Sequence, residues 1–357
     1  MKSMKESKPE TLVYIVHGMK GSGQSVSQLA NLARNSIENA RVVTPTLPHS
    51  SFLSNVTAAK ITSDIVREIE TLDQRYHFDN IVLIGHSIGA VLARRALIEA
   101  SGLPIHWTEF DASQSPGNLK VEAEIGQLRN VAWGRKVSRL ILIASVGNGW
   151  SVDDAKSGFQ RLGWQLGSIA GHAMYGDLKP TIFDFRKGGP FITQTRLRWL
   201  EYIQYLGACS LARPKVLQLL GTVDQVVPPN DMIDFAVDPT DEYFTQIQIP
   251  VTGHRSVIRF LEEPEDPEMT QGACSQRKQI LAAVLSDGLD QVHEHVVQRH
   301  FLDDNLSSAP ELDVSDHVFI VHGIRDKGYW ATKLAASVRK TASIANKNFT
   351  CSTPSYG

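Results

Sequence analysis

The sequence predicts an α/β fold, a mostly parallel sheet flanked by helices, with a cap or lid inserted between two strands. Three observations predict it. Short β-branched or apolar runs alternate with longer segments of helical period from residue 12 to residue 285, and that alternation calls for crossover connections and parallel strands. The 357-residue chain is 42% hydrophobic, enough to bury a sizeable core. One long interval, 147 to 210, breaks the alternation with glycines and aromatic residues, as a cap over the strand ends would.

The elements follow in order. Leu12 to Val16 is a buried strand. Gln24 to Ile37 is an amphipathic helix with Val26, Leu29, Leu32, Ala33 and Ile37 on one face. Arg41 to Thr44 is a short strand ended by Pro45 and Pro48. Thr57 to Tyr76 is a helix carrying Ile61, Ile65, Ile69 and Leu72 at helical spacing. Asn80 to Ile84 is an apolar strand, and Ile88 to Ala100 a helix stopped at Gly102 and Pro104. Further strands are expected at Arg139 to Ala144, Lys215 to Leu220 and Tyr243 to Ile249, and a last helix at Ile280 to Leu285. Residues 103 to 136 are too long for an ordinary loop.

From 286 to 315 the chain turns polar and suits a linker. A pattern then recurs: Val318-Phe319-Ile320-Val321-His322-Gly323-Ile324-Arg325 matches Val13-Tyr14-Ile15-Val16-His17-Gly18-Met19-Lys20. A Thr-Pro pair follows each histidine, by 27 residues in the first copy and 31 in the second. Residues 316 to 357 therefore read as a partial internal duplication of a strand-helix unit.

Composition excludes several classes. A net charge of −2 argues against a nucleic-acid partner. Cys209, Cys274 and Cys351 are scattered without metal-ligand spacing, so neither a disulfide framework nor a metal is expected. Met1 to Glu10 is polar and lysine-rich, unlike a secretory signal, and no apolar run of about 18 residues exists to span a membrane. A reducing, cytoplasmic setting is the expectation. Peripheral membrane contact stays open, and oligomeric state cannot be read.

Gly85-His86-Ser87-Ile88-Gly89 lies between the Asn80 strand and the Ile88 helix. A strand entering a sharp turn strains its central residue, and small residues two before and two after relieve clashes. Such a turn presents Ser87 at a helix N-terminus, where developing negative charge is favoured. A hydroxyl needs a base, and the base an orienting acid. Asp224 follows the Lys215 strand in Gly221-Thr222-Val223-Asp224-Gln225-Val226-Val227-Pro228. Asp231, Asp234 and Asp238 are less well placed. His254 follows the Tyr243 strand beside Gly253; His86 adjoins Ser87, but neighbours in such a turn point different ways. The glycine-rich loop His17-Gly18-Met19-Lys20-Gly21-Ser22-Gly23 matches neither a dinucleotide-binding nor a P-loop pattern. Its Met19 N–H and that of Ile88 are the candidate oxyanion donors.

These residues resemble the α/β-hydrolase superfamily over about residues 11 to 285, above all its lipase-like and esterase-like members. The resemblance rests on His17-Gly18, Gly85 to Gly89 and Gly221 to Pro228. It implies a Ser87–His254–Asp224 triad, oxyanion donors at Met19 and Ile88, no cofactor, and hydrolysis of carboxylic esters through an acyl-enzyme. It also implies a six-strand sheet with the Leu12 strand between those at Arg41 and Asn80, lacking the family's two leading antiparallel strands. The expected partner is a small-molecule or lipid ester. The aromatic interval and Lys156, Arg161, Lys179, Arg186 and Lys187 suit a lipid substrate, and equally a packed cap with a solvated face. Thioester or amide hydrolysis by the same triad, and a non-enzymatic binding module, are the alternatives.

Overall fold

The structure, a computed structural model, describes residues 10–51, 54–102, 132–150, 180–227, 243–263 and 265–297, the segments 316–319 and 349–352, and positions 334 and 338. Most of the 103–136 interval, the middle of the expected cap, Asp231, Asp234, Asp238, the later part of the expected linker and His322 lie outside the described residues. The chain divides into two compact units, Met1–Ala236 with Thr240–Val297, and Val237–Pro239 with Gln298–Gly357.

The first unit is built on six strands: β1 (Thr11–Val16), β2 (Ala40–Val43), β3 (Asn80–His86), β4 (Val137–Ile143), β5 (Lys215–Gly221) and β6 (Phe244–Ile249). Every neighbouring pair is parallel, in the order β2-β1-β3-β4-β5-β6. β1 thus lies between β2 and β3, as the family resemblance implies. All six residues of β1 are buried, which is why it reads as an unbroken apolar run: a parallel strand inside a layered fold is covered on both faces.

The helices are α1 (Ser27–Ser36), α2 (Ala58–Tyr76), α3 (Ile88–Ala100), α4 (Pro190–Ala208) and α5 (Gln271–Leu285). α1 packs against α5, while α3 packs against α2 and α4. Local chemistry sets their ends. The Thr57 hydroxyl accepts from Lys60 N–H to open α2, and His77, left-handed at φ 51°, closes it. Ile61, Ile65 and Ile69 form the buried stripe between. α3 is buried along its whole length, and there Arg95 Nε donates to Glu99 Oε1 at 2.6 Å.

Three differences from the sequence reading have physical causes. Residues Gly23–Val26 form a 3-10 turn ahead of α1, held by reciprocal Ser22 and Ser25 hydrogen bonds. α5 begins at Gln271 rather than Ile280, because its first half is polar and buries Cys274 and Arg277 in place of an apolar stripe. α4 falls inside the interval read as cap, yet it buries Phe191, Ile192, Trp199, Tyr202 and Leu206 and serves as the crossover between β4 and β5. The described ends of that interval meet in a neck. Trp150 N–H donates to Phe185 O at 2.9 Å, Lys187 N–H to Trp150 O at 2.8 Å, and Trp150 Nε1–H to Ile182 O at 2.8 Å. Trp150, Phe185 and Phe191 are packed core residues.

The unit also runs past Leu285. A 3-10 segment, Leu289–His295, leads to Val296, which bridges antiparallel to Ile247, and Val297 N–H donates to Gln246 O. This covers part of the open edge of β6. In the second unit β7 (Asp316–Phe319) pairs parallel with β8 (Phe349–Ser352). Aligning Val13 with Val318 places Thr11 on Asp316. Those two residues begin their strands, and the pairs Thr11↔Ala40 and Asp316↔Phe349 open the two ladders.

Ile15 is fully buried in β1 at the centre of the first unit. Ile15→Ala should destabilise it by about 2–5 kcal/mol through lost burial and a residual cavity, read as a lowered urea midpoint with unchanged slope.

Candidate active site

Parallel strands deliver their C-terminal ends to one edge of the sheet. β3 ends there at His86, and the chain reverses into α3 through Ser87, whose φ and ψ are 57° and −125°. That conformation is costly for a residue with a side chain and survives only with room around it. A Cβ on Gly85 would lie 2.3 Å from Ala90 Cα, and one on Gly89 would lie 2.4 Å from Val16 O, so both positions exclude any larger residue. Ser87 N–H donates to Ile143 O at 2.9 Å and ties the turn to the end of β4.

The three sequence-predicted side chains meet at this edge. His254 Nε2 is 2.9 Å from Ser87 Oγ, and His254 Nδ1 is 2.9 Å from Asp224 Oδ2. The Asp224 carboxylate is buried, and its other oxygen accepts from the N–H groups of Val226 and Val227 at 2.8 and 2.9 Å. Those bonds fix the plane of the carboxylate. Asp224 Oδ2 accepts a hydrogen bond from His254 Nδ1–H, which leaves Nε2 as the acceptor for the Ser87 hydroxyl.

The Met19 loop runs against the same turn: a Cβ on Gly18 would lie 3.0 Å from Ser87 Cβ. Neither Met19 N–H nor Ile88 N–H has an intramolecular acceptor among the described residues. The loop is fixed by a histidine pair absent from the sequence reading. Leu47 N–H donates to His17 Nε2 at 3.0 Å, so the proton of His17 sits on Nδ1 and is donated to Gly18 O. His49 Nε2–H donates to His17 O at 2.9 Å, and His49 O accepts from Lys20 N–H at 3.2 Å. The two rings lie 4.3 Å apart.

His86 also proves to belong to the site. Its ring lies 5.3 Å from that of His254, and Nε2–H donates to His254 O at 2.8 Å. The serine and the residue before it do point differently, yet both reach His254, one through its ring and one through its backbone. Burial, with the neighbouring His254, pushes His86 down to about 3. Burial likewise pushes His49 down to about 3, with His17 adding to the effect, and lowers His17. Sequence spacing held no signal for these roles beyond the histidines' presence in the strand-end loops. Among the described residues no cluster of three or more histidine, cysteine or carboxylate side chains could hold a metal ion, and no helix is long and apolar enough to cross a membrane.

A six-strand parallel sheet flanked by helices, with a strained serine turn between a strand and a buried helix, is an α/β-hydrolase fold. The chain belongs to the alpha/beta hydrolase family, whose model matches residues 13–270. Among solved structures it is similar to esterase B from Lactobacillus rhamnosis, with 15% identity, a TM-score of 0.44 and 81% of each chain covered. It is similar also to an extracellular alpha/beta-hydrolase from a Paenibacillus species, with 16% identity, a TM-score of 0.41, and 77% of this chain and 99% of that one covered. A third is the monoacylglycerol lipase of Paleococcus ferrophilus, with 14% identity, a TM-score of 0.41, and 77% and 94% covered. Nothing among curated proteins matches the sequence.

The buried histidines give stability a pH dependence of known sign. In the unfolded chain they bind protons near pH 6.5; in the folded chain His49 and His86 do so only near pH 3. Between those values the unfolded state binds more protons, so stability is full above about pH 6.5 and is lost as the pH falls toward 3. The melting temperature should drop between pH 7 and pH 4, and His49→Gln should flatten that drop.

Proposed function

We propose that this protein is a serine hydrolase that cleaves carboxylic esters through an acyl-enzyme, with Ser87 as nucleophile, His254 as general base and acid, and Asp224 as the orienting carboxylate. The observation that carries this reading is the continuous hydrogen-bonded chain from Ser87 Oγ through the His254 ring to a buried, fully bonded Asp224. His254 Nε2 takes the Ser87 proton as Oγ attacks the ester carbonyl, and Asp224 stabilises the imidazolium. The N–H groups of Met19 and Ile88 stabilise the oxyanion of the tetrahedral intermediate. Their lack of intramolecular acceptors and the nearness of Gly18 to Ser87 support this assignment. Collapse of the intermediate releases the alcohol with the proton held by His254, and water repeats the sequence on the acyl-enzyme. No cofactor enters the reaction as proposed.

The substrate we favour is a hydrophobic acyl ester, on the aromatic content of residues 147–210. For the remainder of the chain we propose a partial duplication of the β1-α1-β2 unit; the matched starts of the two strand ladders support it.

Ser87→Ala should abolish hydrolysis of a short p-nitrophenyl ester while the circular dichroism spectrum persists; full activity in that variant would end the assignment. Asp224→Asn should lower kcat by about 10⁴-fold, because the imidazole would then be held in the wrong tautomer. A fluorophosphonate probe should label the wild type at Ser87; an unlabelled, folded protein would favour the binding-module reading. Ester, thioester and amide panels of increasing acyl length, compared by kcat/KM, test the substrate preference.

A further inference from the structure

We propose that Arg277 and Glu268 are positioning residues for His254, together holding in place a strained turn that aims its imidazole at Ser87. The inference rests on the reading of His254 as the catalytic base. It concerns residues that touch neither Ser87 nor Asp224, and Arg277 lies beyond the part of the chain matched by the family model.

His254 sits on a segment without regular secondary structure between Ile249, the end of β6, and the 3-10 turn Ser256–Ile258. The segment departs from β6 through Val251 at φ 47°. A β-branched side chain in the left-handed region is an outlier, and it persists only where the surroundings over-determine it. Here they do. Val251 N–H donates to Thr222 Oγ1 at 3.0 Å, Thr252 Oγ1–H to Pro250 O at 2.8 Å, and Val223 N–H to Thr252 O at 3.1 Å.

Arg277, fully buried on α5, spans the segment from behind. Its Nε donates to Thr252 Oγ1 at 3.1 Å and its Nη2 approaches Val251 O at 3.4 Å, both before His254. Its Nη1 donates to Arg259 O at 2.7 Å, after His254, and Nη2 also donates to Glu268 O. Met269 Sδ lies 3.5 Å from Nη1, and Cys274 is a further side-chain hydrogen-bond partner. A guanidinium is expensive to bury and would be a poor space-filler. Its value here is the rigid fork of donors, which fixes carbonyl and hydroxyl oxygens on both sides of one residue.

Glu268 completes the clamp with its carboxylate. Oε2 accepts from Gly253 N–H at 3.1 Å and from Ser256 Oγ–H at 2.6 Å, and Ser256 Oγ accepts from Gly253 N–H at 2.8 Å. The residue immediately before His254 is thus anchored by charge-assisted bonds to the same segment whose backbone Arg277 holds.

The test compares Arg277→Met and Glu268→Ala with the wild type at 20 °C, below their melting temperatures. Displacing a catalytic group by about 1 Å costs about 10²-fold, so kcat in Arg277→Met should fall by about that factor with KM within about twofold. Arg277→Lys, which offers a point charge in place of a fork, should recover part of the loss. Val251→Gly added to Arg277→Met should also restore kcat several-fold, because glycine adopts positive φ without penalty; a merely structural role predicts no such rescue. A second readout needs no substrate: the low-field proton resonance of His254 Nδ1–H, hydrogen-bonded to Asp224, should be sharp in the wild type and lost in Arg277→Met. An unchanged resonance and kcat in folded Arg277→Met would overturn the proposal, and if that variant does not fold, Glu268→Ala decides by the same two measurements. A wild type that is inactive and unlabelled at Ser87 would overturn the catalytic reading, and the resonance would still decide the positioning role.

Discussion

Six strands that all run the same way cannot be joined by tight hairpins. Each must be returned by a crossover, and each crossover carries the chain back to the far edge before the next strand begins. The result is that one edge of the sheet collects only C-terminal strand ends. Ser87, Asp224, His254 and the Met19 loop follow β3, β5, β6 and β1, so residues separated by up to 167 positions come within hydrogen-bond distance without any of them leaving its own connection. The parallel order is therefore the constraint on which the site depends. It fixes where the groups are before any side chain has chosen a rotamer.

What the sheet does not supply is aim, and here the fold accepts strain. Lys20, Ser87, Ala144 and Val251 all have positive φ, and each lies in a connection leaving a strand at this edge. Backbone strain of this kind costs on the order of 1–3 kcal/mol per residue, and the surrounding bonds must hold it. At Ser87 the holders are the close approach of Gly85 and Gly89 to their neighbours and the bond to Ile143. At Lys20 it is His49; at Val251 they are Thr222 and Arg277. Neutral histidines serve well in this role. A ring with one donor and one acceptor can join two backbone groups at fixed angles, as His17 does between Leu47 N–H and Gly18 O, and burial lowers the pKa of His17 and of His49, whose Nε2–H bonds His17 O.

Strands β1, β3, β4 and β5 were legible in the sequence because burial on both faces leaves a largely apolar run. Ser87, Asp224 and His254 were legible for a related reason: a chemically competent residue directly after such a run can only lie at the sheet edge. The polar framework behind them was not. Arg277 lies in a polar stretch, and its burial depends on carbonyl oxygens whose positions are set by residues 9 to 26 places earlier. Glu268, Ser256, His49 and His86 act through individual hydrogen bonds that leave no period in the sequence. α4 did carry a helical stripe, but its aromatic composition drew it into the interval read as cap.

The resemblance of β7 to β1 has a consequence for how the chain reaches its fold. A slot beside β2 is specified mainly by side-chain pattern and register, and Val318-Phe319 in β7 repeats the pattern of Val13-Tyr14 in β1. On the proposed duplication, β7 would be a decoy for β1 in a refolding chain. Tandem copies of similar sequence are known to fold into one another's places, and the penalty for the wrong choice would fall on the sheet that carries Ser87. The order of synthesis favours the correct pairing: β1, β2 and β3 emerge together, before β7 exists to compete.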